Sequence, residues 1–193
     1  MSALRFAALG ALGVGLAACA PSIEPAVEVD AGATGPVVTV IGADGVATTR
    51  IDATDVERWT YLALATGTAT PSDGPWDLAF RRFHIKTNGG VSGDRGVEVS
   101  PRPGALATLD APPADGWTRD RADGDDADAE PDYAFHQGDG WYAYDVATHL
   151  LAPRPWVWAL RVDATVWKLV IDDYYDAAGT SGVLTLRWQQ IGP

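Results

Sequence analysis

Between Trp76 and Val99 the chain alternates its residue types in a way that suits a strand and little else. Trp76, Leu78 and Phe80 recur at every second position with Asp77 and Ala79 between them, the period at which successive side chains point to opposite faces of a sheet. Phe83 and Ile85 then fall on the opposite parity, so a bulge or change of face is expected at Arg81-Arg82. Asn88-Gly89-Gly90 ends the run with residues that accept positive φ. A Gly-rich loop through Ser92, Gly93, Asp94, Arg95 and Gly96 then leads into a new strand at Val97-Glu98-Val99. A chain built round this block is a β protein, with Trp76, Leu78 and Phe80 as the buried face of an inner strand.

The remaining segments agree. Val37 to Ile41 and Val46 to Ile51 read as strands about a turn at Asp44-Gly45. Asp52 is placed to cap a short helical turn through Arg58, after which Trp59 to Leu64 resumes as a strand. Pro71-Ser72-Asp73-Gly74-Pro75 breaks the chain. Further strands are expected at Trp141 to Val146, Trp156 to Val162, Val166 to Asp172 and Val183 to Gln190. In the last, Leu184, Leu186 and Trp188 alternate with Thr185, Arg187 and Gln189, as in an antiparallel strand with one wet face. No helical period recurs, so the fold class is all-β, a single domain of mostly antiparallel packed or curled sheets. With 193 residues, 47% of them hydrophobic, the chain can bury one sizeable core. Eight tryptophans spread over these strands are expected chiefly in packing roles.

The first 18 residues differ. Arg5 precedes an apolar run from Phe6 to Ala18, shorter than a bilayer span and suited to a signal-peptide core. Leu16-Ala17-Ala18-Cys19 has the form of a lipoprotein processing site, so residues 1–18 are expected to be removed and Cys19, the sole cysteine, to be acylated. The other possibility is an ordinary secretory signal with an incidental cysteine. A single cysteine leaves no disulfide to propose. Residues 19–36, rich in Pro, Ala, Glu and Gly, read as a flexible tether, and residues 37–193 as the domain. Localisation at the outer membrane, held by lipid, follows from Ala20 rather than Asp after the cysteine. Without Arg5 the 14 basic residues become 13 against 26 acidic, a net charge of −13. This excludes nucleic acid as a partner, since phosphate contacts need clustered Lys and Arg, and disfavours direct adhesion to anionic lipid headgroups.

Specific chemistries are mostly excluded. Asp120, Asp123, Asp125, Asp126, Asp128 and Glu130 crowd one segment, yet Ala127 and Gly124 stand where a calcium loop needs other residues. A solvated acidic loop is the expectation. Ser92 has neither the spacing of a nucleophile elbow nor a helix after it, and Gly90, Gly93 and Gly96 do not form a nucleotide-binding fingerprint. The pairs Asp125-Asp126 and Asp172-Asp173 are sequential, so in a strand each would point to opposite faces. The chain is not expected to be an enzyme.

The central block also carries a resemblance. Trp76-Asp77-Leu78-Ala79-Phe80, then Ile85-Lys86-Thr87-Asn88-Gly89-Gly90 and the Ser92-Gly93-x-x-Gly96 loop, resemble the signature of the HmuY family of bacterial lipoproteins. Ala53-Thr54-Asp55, Trp59-Thr60-Tyr61, Gly140-Trp141-Tyr142-Ala143-Tyr144, Trp167-Lys168-Leu169 and Tyr174-Tyr175-Asp176-Ala177 recur in the family order, and the likeness runs from about Asp52 to Trp188. It implies the family's all-β fold and, since some members are haemophores, haem as ligand and an outer-membrane transporter as recipient. Those members hold the iron with a pair of histidines or methionines, one from the loop before the Gly140-Trp141 strand and one just after that strand. Here the corresponding positions, in the Arg119 to Glu130 segment and near Val146, hold neither residue.

Iron accepts His, Met, Cys thiolate or Tyr. Met1 leaves with the signal and Cys19 is lipidated, so the donors are the tyrosines, His84, His136 and His149. His136 and His149 flank the Trp141 strand and are the candidate axial pair. The competing reading makes His136 a loop residue and His149 a structural hydrogen-bond partner at a hairpin. His84, between Phe83 and Ile85 in a strand, is expected to face solvent or a carboxylate. Two functions follow: a lipid-anchored haem scavenger, or a non-haem binding or structural envelope lipoprotein on the same fold.

Overall fold

The computed structural model describes residues 34–124 and 129–192. The expected signal peptide, Cys19 and nearly all of the tether lie outside the described residues, as do Asp125, Asp126 and Asp128. Twelve strands follow in order: β1 (Val37–Ile41), β2 (Ala47–Asp52), β3 (Thr60–Ala63), β4 (Thr68–Thr70), β5 (Leu78–Arg81), β6 (His84–Thr87), β7 (Glu98–Pro103), β8 (Tyr142–Asp145), β9 (Leu150–Pro153), β10 (Trp156–Val162), β11 (Thr165–Tyr175) and β12 (Ser181–Gly192). They form a six-stranded sheet in the order β1-β2-β12-β11-β10-β7, a four-stranded sheet β4-β3-β5-β6, and a separate β8-β9 hairpin. Every pairing is antiparallel. The all-β, single-domain expectation is met.

The core lies between the two larger sheets. Leu62, Leu78, Phe80 and Ile85 from the smaller sheet meet Ile51, Leu160, Leu169, Leu184 and Leu186 from the larger, joined by Phe135 and Trp141 from the chain between β7 and β9. A second cluster on the other face of the large sheet packs Val157, Ala159, Val166 and Val170 under Leu106 and Leu109. Trp76, Leu78 and Phe80 are buried, and β5 is an inner strand between β3 and β6. None of the eight tryptophans is exposed: Trp76, Trp141, Trp158 and Trp188 are buried and the others half-buried.

Four local expectations are corrected. The change of parity after Phe80 comes from a two-residue hairpin loop, Arg82-Phe83, with Arg81 paired to His84. Arg82 has φ 53°, the positive value such tight loops require, so no bulge is needed. Asp52 caps no helix: its carboxylate folds back onto the Thr54 backbone and hydroxyl, while Asp55 accepts from the Glu57 and Arg58 N–H groups. These local side-chain bonds compete with helix formation. The strands β4 and β9 were not anticipated, and β11 and β12 run longer than expected. Asp120, counted in the acidic loop, is buried.

Candidate functional site

The Arg82-Phe83 loop and the 3₁₀ turn Ala134–His136 meet at the edge of a cleft lined by Phe83 and His136. Each is fixed by polar contacts outside it. The Arg82 guanidinium donates to the Ser181 carbonyl (2.9 Å) and hydroxyl (2.7 Å), and the Arg82 N–H donates to Ala53 O (2.7 Å), so the loop is tied to the large sheet. On the other side buried Asp120 accepts from the backbone N–H of Thr87 (2.9 Å) and of Ala134 (2.8 Å), clamping the 3₁₀ turn to β6. Burial raises the Asp120 carboxyl above its usual range, and these backbone donors oppose that rise.

The Phe83 carbonyl accepts two ring N–H groups, Trp141 Nε1 at 3.0 Å and His136 Nε2 at 3.2 Å. A carbonyl cannot donate, so His136 carries its proton on Nε2 here. His84 stacks on His136, centroids 5.6 Å apart and planes 17° apart. Tyr133 meets both imidazoles edge-on at 5.9 and 6.1 Å, and Tyr142 meets His136 edge-on at 5.9 Å. The resulting cavity, about 440 Å³, is rimmed by Arg121, Asp132 and Gln137, a size within the roughly 300–1,000 Å³ of small-molecule sites.

Glu130 sets the electrostatics of one wall. It accepts from the Tyr133 hydroxyl and from Arg81, each at 2.6 Å. The Tyr133 bond first, then the Arg81 bond and charge, hold its carboxyl below the usual range. Burial and the same carboxylate push the Tyr133 phenol well above its usual value, and burial raises Tyr142. Both phenols are therefore neutral at ordinary pH, and two imidazoles, His84 and His136, line the cleft beside them.

The structure places the two expected ligands apart. His136 stands at the foot of the β8-β9 hairpin beside Tyr142, whereas His149 sits exposed at its tip with φ 59°. There it bonds Tyr144 Oη through Nδ1 (2.7 Å), and its N–H donates to Asp145 O. Foot and tip are separated by the Tyr142–Asp145 strand, about 10 Å of chain. His84, expected to face solvent or a carboxylate, is half-buried against Phe83 and His136 and lines the same cleft as Glu130. The sequence carried no signal that Tyr133 and Tyr142 would frame it. Val146, the second position implied by the resemblance, is exposed at the tip beside Tyr144 and Leu150. Among the described residues no group of three or more His, Cys, Asp or Glu side chains is arranged to hold a metal ion.

Fold and cleft together define a class: a two-sheet β domain with a cleft at the foot of a separate two-stranded hairpin. The HmuY protein family matches residues 55–188, and the chain belongs to that family. Solved structures with the same fold include a Bacteroides vulgatus ATCC 8482 protein described as HmuY-like and heme binding, 20% identical over 74% of this chain and 90% of that one, with a TM-score of 0.59. The apo HmuY analog of Tannerella forsythia is 17% identical over 81% of this chain and 97% of its own, TM-score 0.57. A Bacteroides fragilis NCTC 9343 protein described as a lipoprotein is 23% identical over 78% and 93%, TM-score 0.58. No curated protein sequence matches.

Proposed function

We propose that this chain is a haem-binding, haemophore-like lipoprotein, anchored at the outer membrane through acylated Cys19 after removal of residues 1–18, and that it passes haem to an outer-membrane transporter. The family match over residues 55–188 carries this reading, and the heme-binding description of the Bacteroides vulgatus relative supports it. The protein acts by binding, not by catalysis. No described helix is long and apolar enough to cross a membrane, so the lipid is the proposed attachment.

One cleft residue and the hairpin tip supply the groups this reading needs. His136 would hold the iron through its imidazole, and exposed Tyr144, Val146 and Leu150 on the hairpin would offer apolar surface to the porphyrin. Coordination through Nε2 requires His136 to release the Phe83 carbonyl. His149 would be the second donor, and the hairpin would have to close over the cleft to bring it there. Haem titration of the purified protein tests the proposal. Split, sharp visible bands on reduction are expected, lost in both His136→Ala and His149→Ala. Unchanged spectra in the double variant reject these ligands. No spectrum in the wild type rejects haem and leaves a non-haem binding or structural envelope lipoprotein.

A further inference from the structure

A second cavity, about 390 Å³, opens at the far end of the sandwich, between the Ala65-Thr66-Gly67 turn of the small sheet and the Trp167, Trp188, Gln189 and Gln190 end of β11 and β12. Strand register places it away from the histidine cleft. Trp188 pairs with Ala47, and Ala47 with Ile41, at one end of the large sheet; Ser181 pairs with Tyr175 and holds Arg82 at the other. Seven residues of β12 separate the two ends, about 23 Å.

One wall of this cavity is tied by a chain of hydrogen bonds. Trp188 Nε1 donates to Thr49 Oγ1 (2.8 Å), which lies 2.9 Å from Thr39 Oγ1, and Thr39 Oγ1 donates to Gly67 O (2.6 Å). Thr39 has one hydroxyl proton and commits it to Gly67, so Thr49 donates to Thr39 and the chain runs in one direction from the indole to the turn. Gly67 has φ +65°, and a Cβ there would meet Thr39 Cγ2 at 3.0 Å, so a bulkier residue would disturb the wall. Half-buried Trp167 stands edge-on to Trp188, centroids 5.3 Å apart. Gln189 and Gln190 each donate the side-chain nitrogen to a backbone carbonyl, of Asp44 and of Gly192, and each keeps an amide oxygen as an acceptor.

The chemistry of this lining selects a ligand class. None of its residues is charged, in a chain where 21% are, so an ionic ligand would enter without a counter-charge. A wholly apolar ligand would strip water from the glutamine and threonine oxygens and offer nothing back. A neutral pyranose matches both features, with a C–H face for indole and hydroxyls for the amide oxygens. We infer that this cavity is a second ligand site, separate from the histidine cleft, that takes a neutral sugar at the end of a glycan.

The test is ligand-observed NMR and calorimetry on the full chain with maltose, cellobiose and di-N-acetylchitobiose. Saturable binding of at least one is expected, weakened about tenfold or more in Trp167→Ala, the scale of losing an aromatic anchor, and unchanged in His136→Ala. Gln190→Ala, at an exposed position, should also weaken binding, and it provides the readout if Trp167→Ala does not fold. Absence of saturable binding by all three sugars overturns the inference, as does unchanged affinity in a folded Trp167→Ala or in Gln190→Ala. Haem spectra are independent of all these outcomes, so failure of the haem proposal and failure of this one are distinguishable.

Discussion

Two hairpins of this protein have strands of the same length and opposite characters. In β5-β6, Leu78, Ala79, Phe80 and Ile85 are at most 1% exposed, whereas in β8-β9 Tyr144 and Leu150 are about half exposed and the tip residue Val146 is 76% exposed. The first is closed by two residues and lies between β3 and the 3₁₀ turn at His136. The second forms a two-stranded sheet of its own and is joined to the body partly through the Leu151 N–H to Tyr175 Oη bond. An isolated two-stranded hairpin is marginal in water, so local strand pattern does not distinguish them; burial against other layers does. The buried hairpin builds one side of the cleft, and the exposed one carries His149 at its tip.

Substitutions can break this comparison or sharpen it. The largest effect is expected at Phe80→Ala, where truncating an aromatic in the centre of the core should cost about 3–5 kcal/mol, measured by denaturant unfolding. A loss under about 1 kcal/mol would mean that β5-β6 is not the organising hairpin.

Asp120→Ala comes next. Leaving the Thr87 and Ala134 N–H groups without their acceptor should cost about 2–4 kcal/mol and loosen His136 with its turn. The same carboxylate gives a pH test. Burial raises its folded pKa above 3.8, so between 3.8 and that higher value the native state binds more protons than the unfolded chain. Stability from this group therefore falls as pH rises through that window. Asp120→Asn cannot titrate there, and Asp77, raised in the same direction mainly by burial, is common to both proteins. The stability of wild type relative to Asp120→Asn should thus decline from below pH 3.8 towards neutrality. A relative gain would reverse the sign assigned to its burial.

The smallest effect on stability is expected at the hairpin tip, where Val146→Ser should change unfolding by less than about 0.5 kcal/mol while weakening haem in the same titration. A large loss of stability with unaltered haem affinity would invert the roles given to the two hairpins.

Much of the fold was legible because several strands carry their burial in their own alternation. Leu184, Leu186 and Trp188 are buried and Arg187 is exposed, as β12 predicts for itself. Trp156–Val162 has the bounds its β-branched and aromatic run implies. The strands that went unread, Thr68–Thr70 and Leu150–Pro153, are short and lack that alternation. They exist because a neighbour is there to accept their hydrogen bonds. The candidate site was less legible. His136 was found because it flanks the Trp141 strand, but its stacking partner His84 is 52 residues earlier and was set aside as a strand residue.

The sequence by itself determined the β class, the inner position of the Trp76 to Phe80 segment and the family, because all three rest on residue types at short, regular spacings. Tertiary structure alone decided that Asp120 is a buried clamp and not a solvated acid, that His84 stacks on His136, and that His149 stands at the tip of a hairpin away from both. The reason is physical. Side-chain alternation is encoded residue by residue, but which carboxylate is desolvated and which imidazoles meet depends on the crossing of chain segments far apart in sequence, and only the packed sheets specify that.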